Sequence, residues 1–424
     1  MEEDKEKNEG YESENNALVG LVRSKFQEAE TAKVYDEKRW LQSYRNYRGL
    51  YGPEMAFRDN EKSRVFVKIT KTKVLASFGQ IIEVLFSQGK FPLGISPTSV
   101  TEGIVEKAHL KNKQQQQSEE PQDPYGFPGD NKEIPPGTTA TELMRDLAQE
   151  YQNLGFEEGP SYTGTPEIEP AQLAAEAMQK LIHDQLEESK AITVLRHVFF
   201  EMALLGTGIL KGPFTDAKTY NSYDTSEDEE GNIAKVQISK TKSVPSIEAV
   251  SCWDFYPDPN ATNIQDCDYV IQRHSFNKQQ LQDLTEKPMF NKQAIEECLE
   301  MGPNYQTRGF ESSLYDRENV TSIYKNRYEV LEYWGTIDRE TADECGVYYS
   351  TDSEVIHVNV WICGGKVLRM VENPFTPKRI PYLVCPYELN PYQFFGVGIP
   401  ENMEDSQMVM NGHARMAIDN LALA

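Results

Sequence analysis

The chain has 424 residues, with 67 acidic against 43 basic side chains and a formal charge of −24. That length has room for two or three domains and a buried core. A protein that grips nucleic acid by neutralising phosphates needs a basic excess. Its lack here excludes tight, static DNA binding as the main role and leaves open an acidic surface past which a polyanion slides. The opening MEEDKEKNEG is the opposite of a secretory signal. No run reaches the roughly 20 apolar residues that span a bilayer. The six cysteines (Cys252, Cys267, Cys298, Cys345, Cys363, Cys385) form no CxxC pair, so they read as free thiols in a reducing cytosol.

In chain order, residues 1–17 are acid-rich and read as disordered. Leu18 to Leu50 follows helical spacing through Val22, Phe26, Tyr35, Trp40, Leu41, Tyr44 and Tyr47, and stops at Gly49-Leu50-Tyr51-Gly52-Pro53. A second helix is expected over Val65 to Ser87, with Ile69, Leu75, Phe78, Ile82, Leu85 and Phe86 as its core face. Residues 111–168 carry four consecutive glutamines and repeated Pro and Gly, the composition of a low-complexity surface insertion. Helices resume at Pro170, with Leu173, Ala177, Leu181 and Ile182 inward, and again through Ile192, Leu195, Phe199 and Met202 to Leu205-Gly206-Thr207-Gly208.

A strand begins at Ile209, and the acidic run 227–230 reads as an exposed hairpin tip. Phe255-Tyr256-Pro257-Asp258-Pro259 makes a rigid corner before a strand over Tyr269 to Arg273. Asn277 is placed to cap a short helix. From 326 to 390 the sequence is β-rich, with a hairpin signalled by Gly364-Gly365. Residues 400–424 read as a last helix with Met403, Met410 and Ala417 seven apart and Gln407, Ala414 and Leu421 beside them. No breaker closes it before Ala424, as in a part of a longer protein.

No chemistry-bearing motif emerges. The six histidines share no metal-ligand spacing, and HExxH, GxSxG and GxxxxGK[ST] are all absent. Gly206-Thr207-Gly208 follows a helix and precedes a strand, the reverse of a dinucleotide-binding turn, and reads as a helix cap. Asp254, Asp258, Asp266 and Asp268 could serve a two-metal nuclease. They alternate with Pro and Asn, so turn and capping roles fit them better. Neither a metal site nor a cofactor is expected.

Three separated stretches, in order, resemble the portal family of tailed bacteriophages, the podovirus-type members above all. They are Val198 to Lys211, with its helix, Gly-x-Gly turn and strand; Val250 to Arg273, with the Phe-Tyr-Pro-Asp-Pro corner; and Phe395-Gly396-Val397-Gly398-Ile399-Pro400-Glu401 continuing through Asp405, Gln407, Asn411, Arg415 and Asp419. The resemblance implies an α+β fold with a helical and β wing (18–325), a small β-rich clip (326–390) and the start of a stem helix (391–424). At 1.5 Å per residue, 398–424 would reach about 40 Å. The family's tunnel loop and crown have no counterpart up to Ala424.

The same resemblance implies a non-enzymatic ring, usually of twelve subunits, at one capsid vertex of the virion, assembled in the host cytoplasm. Its partners would be the major capsid protein, the terminase, head-to-tail adaptor proteins and duplex DNA, with no membrane. Expected channel or interface residues are Glu401, Glu404 and Asp405, which also complement a helix N-terminus, and Arg415, pairing between subunits in preference to touching phosphate. Alternatives are another virion protein (an adaptor or minor capsid protein) and, more remotely, the metal-dependent nuclease.

Overall fold

The computed structural model describes residues 2–53, 55–58, 61–87, 91–96, 170–227, 233–315 and 324–423, apart from 345, 346, 348, 351 and 352. The expected low-complexity insertion at 111–168 lies outside the described residues. In chain order the main elements are α1 (Glu2–Arg48), α2 (Ile69–Phe86), α3 (Pro170–Glu188), α4 (Ala191–Leu205), β1 (Thr207–Glu227), β2 (Ile233–Val250), β3 (Phe255–Pro257) and β4 (Tyr269–Phe276). There follow α5 (Lys278–Asp283), α6 (Lys292–Met301), α7 (Gly309–Tyr315), β5 (Tyr328–Asp338), α8 (Arg339–Glu344), β6 (Val355–Cys363), β7 (Lys366–Glu372), β8 (Tyr382–Pro386), α9 (Ile399–Asn402) and α10 (Glu404–Leu423).

Residues 1–92 and 185–424 form one compact unit and residues 93–184 a second. In the second, the Ile95 amide donates to Gln179 Oε1 at 3.2 Å, and on α3 Ala175 is buried while Met178, Ala177 and Leu181 are exposed.

The first unit is built on two antiparallel sheets, β2-β1-β8 and β3-β4-β5-β6-β7. Alternation along the strands sorts side chains to two faces. Tyr269, Ile271, Leu331, Tyr333, Val358, Val360 and Ile362 point to one face, where Leu18, Val22 and Phe26 of α1 cover them. Val270 and Trp334 point to the other, toward Ile209 and Val250 of the smaller sheet and a centre formed by Trp40, Trp253, Phe255, Tyr382 and Phe395. At the far end of the large sheet, Leu281 of α5 and Ile295 of α6 pack on Tyr328, Val330 and Leu368.

Local signals set several boundaries. Gly206 ends α4 at φ +94°, its N–H returning to Met202 O. Asn277 and Gln280 form a reciprocal capping box on α5, so Asn277→Ala is expected to cost about 1 kcal/mol in a chemical melt. Gly364 and Gly365, at φ +57° and +94°, turn β6 into β7 with the paired positive φ of a tight hairpin.

Other expectations are corrected. The backbone is helical from Glu2, where acidity predicted disorder over 1–17; Glu and Lys are strong helix formers, and no proline interrupts the run. The expected boundary at 325/326 falls inside the large sheet, because β5 pairs on one side with β4 and on the other with β6. Residues 326–390 therefore make no unit of their own, and β8 leaves to pair with β1. On α2 the expected core face is only partly covered: Thr70 and Val74 are buried, while Leu75 and Val84 are exposed. Apolar residues go almost all round α2, and its neighbours reach only one side.

Candidate functional site: the seat of the last helix

The three separated sequence segments meet in space. β1 pairs with β2 at Ile209↔Val250 and with β8 at Thr207↔Pro386, and the Cys252 thiol donates to Thr207 O at 3.1 Å. The segment leaving β8 threads its backbone against the α4–β1 turn: Tyr387 N–H donates to Gly206 O at 2.8 Å, and Gly396 N–H to Thr207 Oγ1 at 2.9 Å. Glycine is required here by proximity. A Cβ on Gly206 would lie 2.6 Å from Gly396 O and from Gly398 N, and one on Gly398 would lie 2.8 Å from Leu204 O.

A side-chain clamp completes the seat. From α1, Arg39 grips Glu401 of α9 in a fork, Nε to Oε1 at 3.0 Å and Nη2 to Oε2 at 2.9 Å. Its Nη1 donates to Asp36 at 2.5 Å, and Nη2 also reaches Gly396 O at 3.3 Å. Burial pushes the Asp36 carboxyl up, against the opposing pull of Arg39. Arg39→Met is expected to loosen α9 and cost about 1–3 kcal/mol, read as faster hydrogen exchange across 396–403.

Beyond the clamp, α10 has its polarity reversed. The side it turns to the protein is polar: Gln407, Asn411 and Arg415 are all buried. Gln407 Oε1 accepts from Thr70 N (3.1 Å) and Thr70 Oγ1 (2.8 Å), and Asn411 Oδ1 accepts from Val67 N (2.9 Å). Asp419 Oδ1 takes the Ser63 amide at 2.8 Å. These side chains thus satisfy the backbone of the 63–70 segment where no helix or sheet does. The apolar residues Met408, Val409, Met410, Met416, Leu421 and Leu423 are exposed.

The four expected site residues are placed as follows. Glu401 is held within the chain by Arg39. Glu404 stands in the first turn of α10, where burial, then Asp405 and Glu401, push its carboxyl up against a hydrogen bond with Gln42. Asp405 is exposed in the same turn. Arg415 is buried in the subunit, 5.1 Å from the Tyr51 ring and 5.3 Å from that of Phe57.

Sequence reasoning missed Arg39, and it missed a buried ionisable group behind the seat. Lys33 donates to Trp253 O at 2.7 Å and lies 3.8 Å from the Tyr256 ring centre. Burial lowers it to about 8, against the Glu37 and Asp254 carboxylates. Glu201 of α4 accepts from Ser251 Oγ (2.6 Å) and Cys252 N (3.1 Å), yet burial pushes it up to about 7. A carboxyl raised on folding holds its proton longer in the folded state, so its contribution is present at low pH and lost as pH rises from about 4.5 through 7. Glu201→Gln is expected to flatten a change of about 3 kcal/mol across that window, measured as melting temperature against pH.

Of the aspartates considered for a nuclease, Asp258 is used by the backbone. Asp258 Oδ1 accepts from Asn260 N (3.0 Å) and Oδ2 from Asp268 N (3.3 Å). Asp254 is buried beside Lys33, and burial pushes its carboxyl up. Among the described residues no three His, Cys, Asp or Glu gather as a metal site, and no helix is long and apolar enough to cross a membrane.

The family model described as Phage SU10 portal protein matches residues 157–424, which is more than half of the chain. The chain belongs to this phage portal protein family. SU10 is a podovirus, and the family is structural, with a role at the portal vertex in DNA packaging. No curated protein matches the chain. The match takes in the whole of the α4–β1 turn, the proline corner and the helix that follows Gly398; α1, which supplies Arg39 and Trp40, precedes it.

Proposed function

We propose that this chain is the repeating subunit of a closed portal ring, usually of twelve copies, through which duplex DNA enters and leaves the capsid. The ring would be set in the major capsid protein shell and would dock the terminase and head-to-tail adaptor proteins. Residues 18–390 would be the wing body, and α10 the start of the stem. The observation that carries the ring is the reversed polarity of α10. A helix that buries amides and a guanidinium while leaving Met410, Met416 and Leu421 in solvent leaves apolar surface uncovered that a lone subunit would hide. A ring covers it with copies of itself, through a head-to-tail interface that closes. The charge of −24 favours passage of a polyanion over its capture.

Sedimentation of the full chain tests the reading. A single closed species of fixed subunit number is expected, and Met410→Glu with Met416→Glu should return it to free subunits while leaving the fold's circular dichroism intact. A monomer at all concentrations, in the unaltered chain, would refute it.

A further inference from the structure

On the ring reading, the pattern along α10 also says which side of the helix points where. Helical residues advance by about 100°, so positions seven apart stay nearly in line. Val409, Met416 and Leu423 form one exposed apolar line, and Met410 and Ala417, with Leu421 one turn further on, a second; Met408 and Ile418, also exposed, lie off both lines toward the side of Gln407, Asn411 and Arg415. Between the two runs a third exposed line of Ser406, His413 and Asn420, polar and uncharged apart from the imidazole. The two apolar lines lie about 120° apart measured across the polar line, and about 240° apart measured across the buried Gln407, Asn411 and Arg415.

A helix packed on one partner needs one apolar face. Two apolar lines separated by a polar one fit two neighbours. In any closed ring the directions from one member to its two neighbours enclose less than 180° on the side of the axis. The side enclosed by less than 180° here is that of Ser406, His413 and Asn420. A separate observation agrees: the opposite side is already occupied by the chain's own 63–70 segment, through Thr70, Val67 and Ser63, and so forms the outside of the helix ring.

We infer that α10 meets the α10 of two further copies, one along the Val409–Met416 line and one along the Met410–Ala417 line, and turns Ser406, His413 and Asn420 to the channel. Along this helix DNA then passes hydroxyl, imidazole and amide groups. Glu401 and Arg415 face neither the channel nor a neighbour, being held by Arg39 and by the Tyr51 and Phe57 rings, and Glu404 sits against Gln42. Short polar side chains suit a conduit, since they can hydrogen-bond a phosphate without the standing charge that would hold or repel it.

The test is thiol reactivity in the full-length ring, with the exposed Cys385 replaced by Ser. Single cysteines are placed at 406, 413 and 420 on the polar line and at 409, 416, 410 and 417 on the apolar lines. Each is treated with a small charged methanethiosulfonate, in rings and in dissociated subunits, after circular dichroism confirms folding. Ring formation should abolish labelling at the four apolar-line positions and leave it at 406, 413 and 420. Rings in which the polar line loses labelling, or the apolar lines keep it, overturn this inference and leave the portal reading standing. A preparation with no rings overturns the portal reading itself and this inference with it.

Discussion

Lys211→Met is expected to cost about 3–5 kcal/mol of stability, the loss typical when one partner of a buried ion pair is removed. Lys211 lies in β1 and Glu332 in β5, so this pair joins the two sheets through the core between them. Glu332 is 2% exposed. It also takes a 2.7 Å hydrogen bond from Trp334 Nε1 and lies 2.7 Å from His274 Nε2, while the Lys211 ammonium sits against the rings of Phe214, Trp361 and Tyr382.

Burial alone would push the Glu332 carboxyl up, yet Lys211 and His274 together hold it down to about 2. A carboxyl lowered on folding stabilises the protein above its ordinary value. That contribution is lost as pH falls from about 4.5 toward 2. Without Lys211 the buried carboxylate keeps its contacts with His274 and Trp334 but loses its ammonium partner. The double variant Lys211→Met with Glu332→Leu removes both charges and should recover most of the loss. Urea melts of the four chains at pH 7 measure the coupling directly.

The second large effect is expected at Gly206. Alanine there must adopt φ +94°, which costs about 1–2 kcal/mol for an L residue. Its Cβ would also lie 2.6 Å from the Gly396 carbonyl, the Gly398 amide nitrogen and the Val397 carbonyl carbon. All three are backbone atoms, so no side chain can swing aside, and the 387–398 segment has to lift from the α4–β1 turn. Gly206→Ala is therefore expected to lose about 3 kcal/mol or more, and to unseat α9 and α10 so that ring assembly fails even where the subunit stays folded. Gly412→Ala is the control: nothing lies within 4 Å of its Cβ, and replacing a mid-helix glycine should stabilise α10 by about 0.5–1 kcal/mol. Thermal melts and sedimentation of both variants separate the two expectations.

What could be read from the sequence was what neighbouring residues decide. The α4 cap at Gly206, the Asn277 N-cap and the Gly364-Gly365 turn each need only a few consecutive positions, and all three agree with the structure. The three segments near 200, 255 and 400 were visible as separate patterns, but not that Gly206 and Gly396 press their backbones together, 190 positions apart. The Arg39–Glu401 fork spans 362 positions, and nothing local distinguishes Arg39 from other helix arginines. The place of β5 between β4 and β6 was hidden for the same reason, since strand order is set by packing of whole faces.

The reversed polarity of α10 did have a signal. Gln407, Asn411 and Arg415 recur every four residues, the period of a helix face, and a polar stripe among exposed-looking methionines indicates which side is buried. Arg415, the last of the three, lies against the Tyr51 and Phe57 rings of its own chain.

End-on electron micrographs of the purified full-length chain test the central claim most directly. Closed rings of one subunit number, with an open central channel wide enough for duplex DNA, are the predicted result. Monomers, or open filaments without a channel, under the same conditions would contradict it.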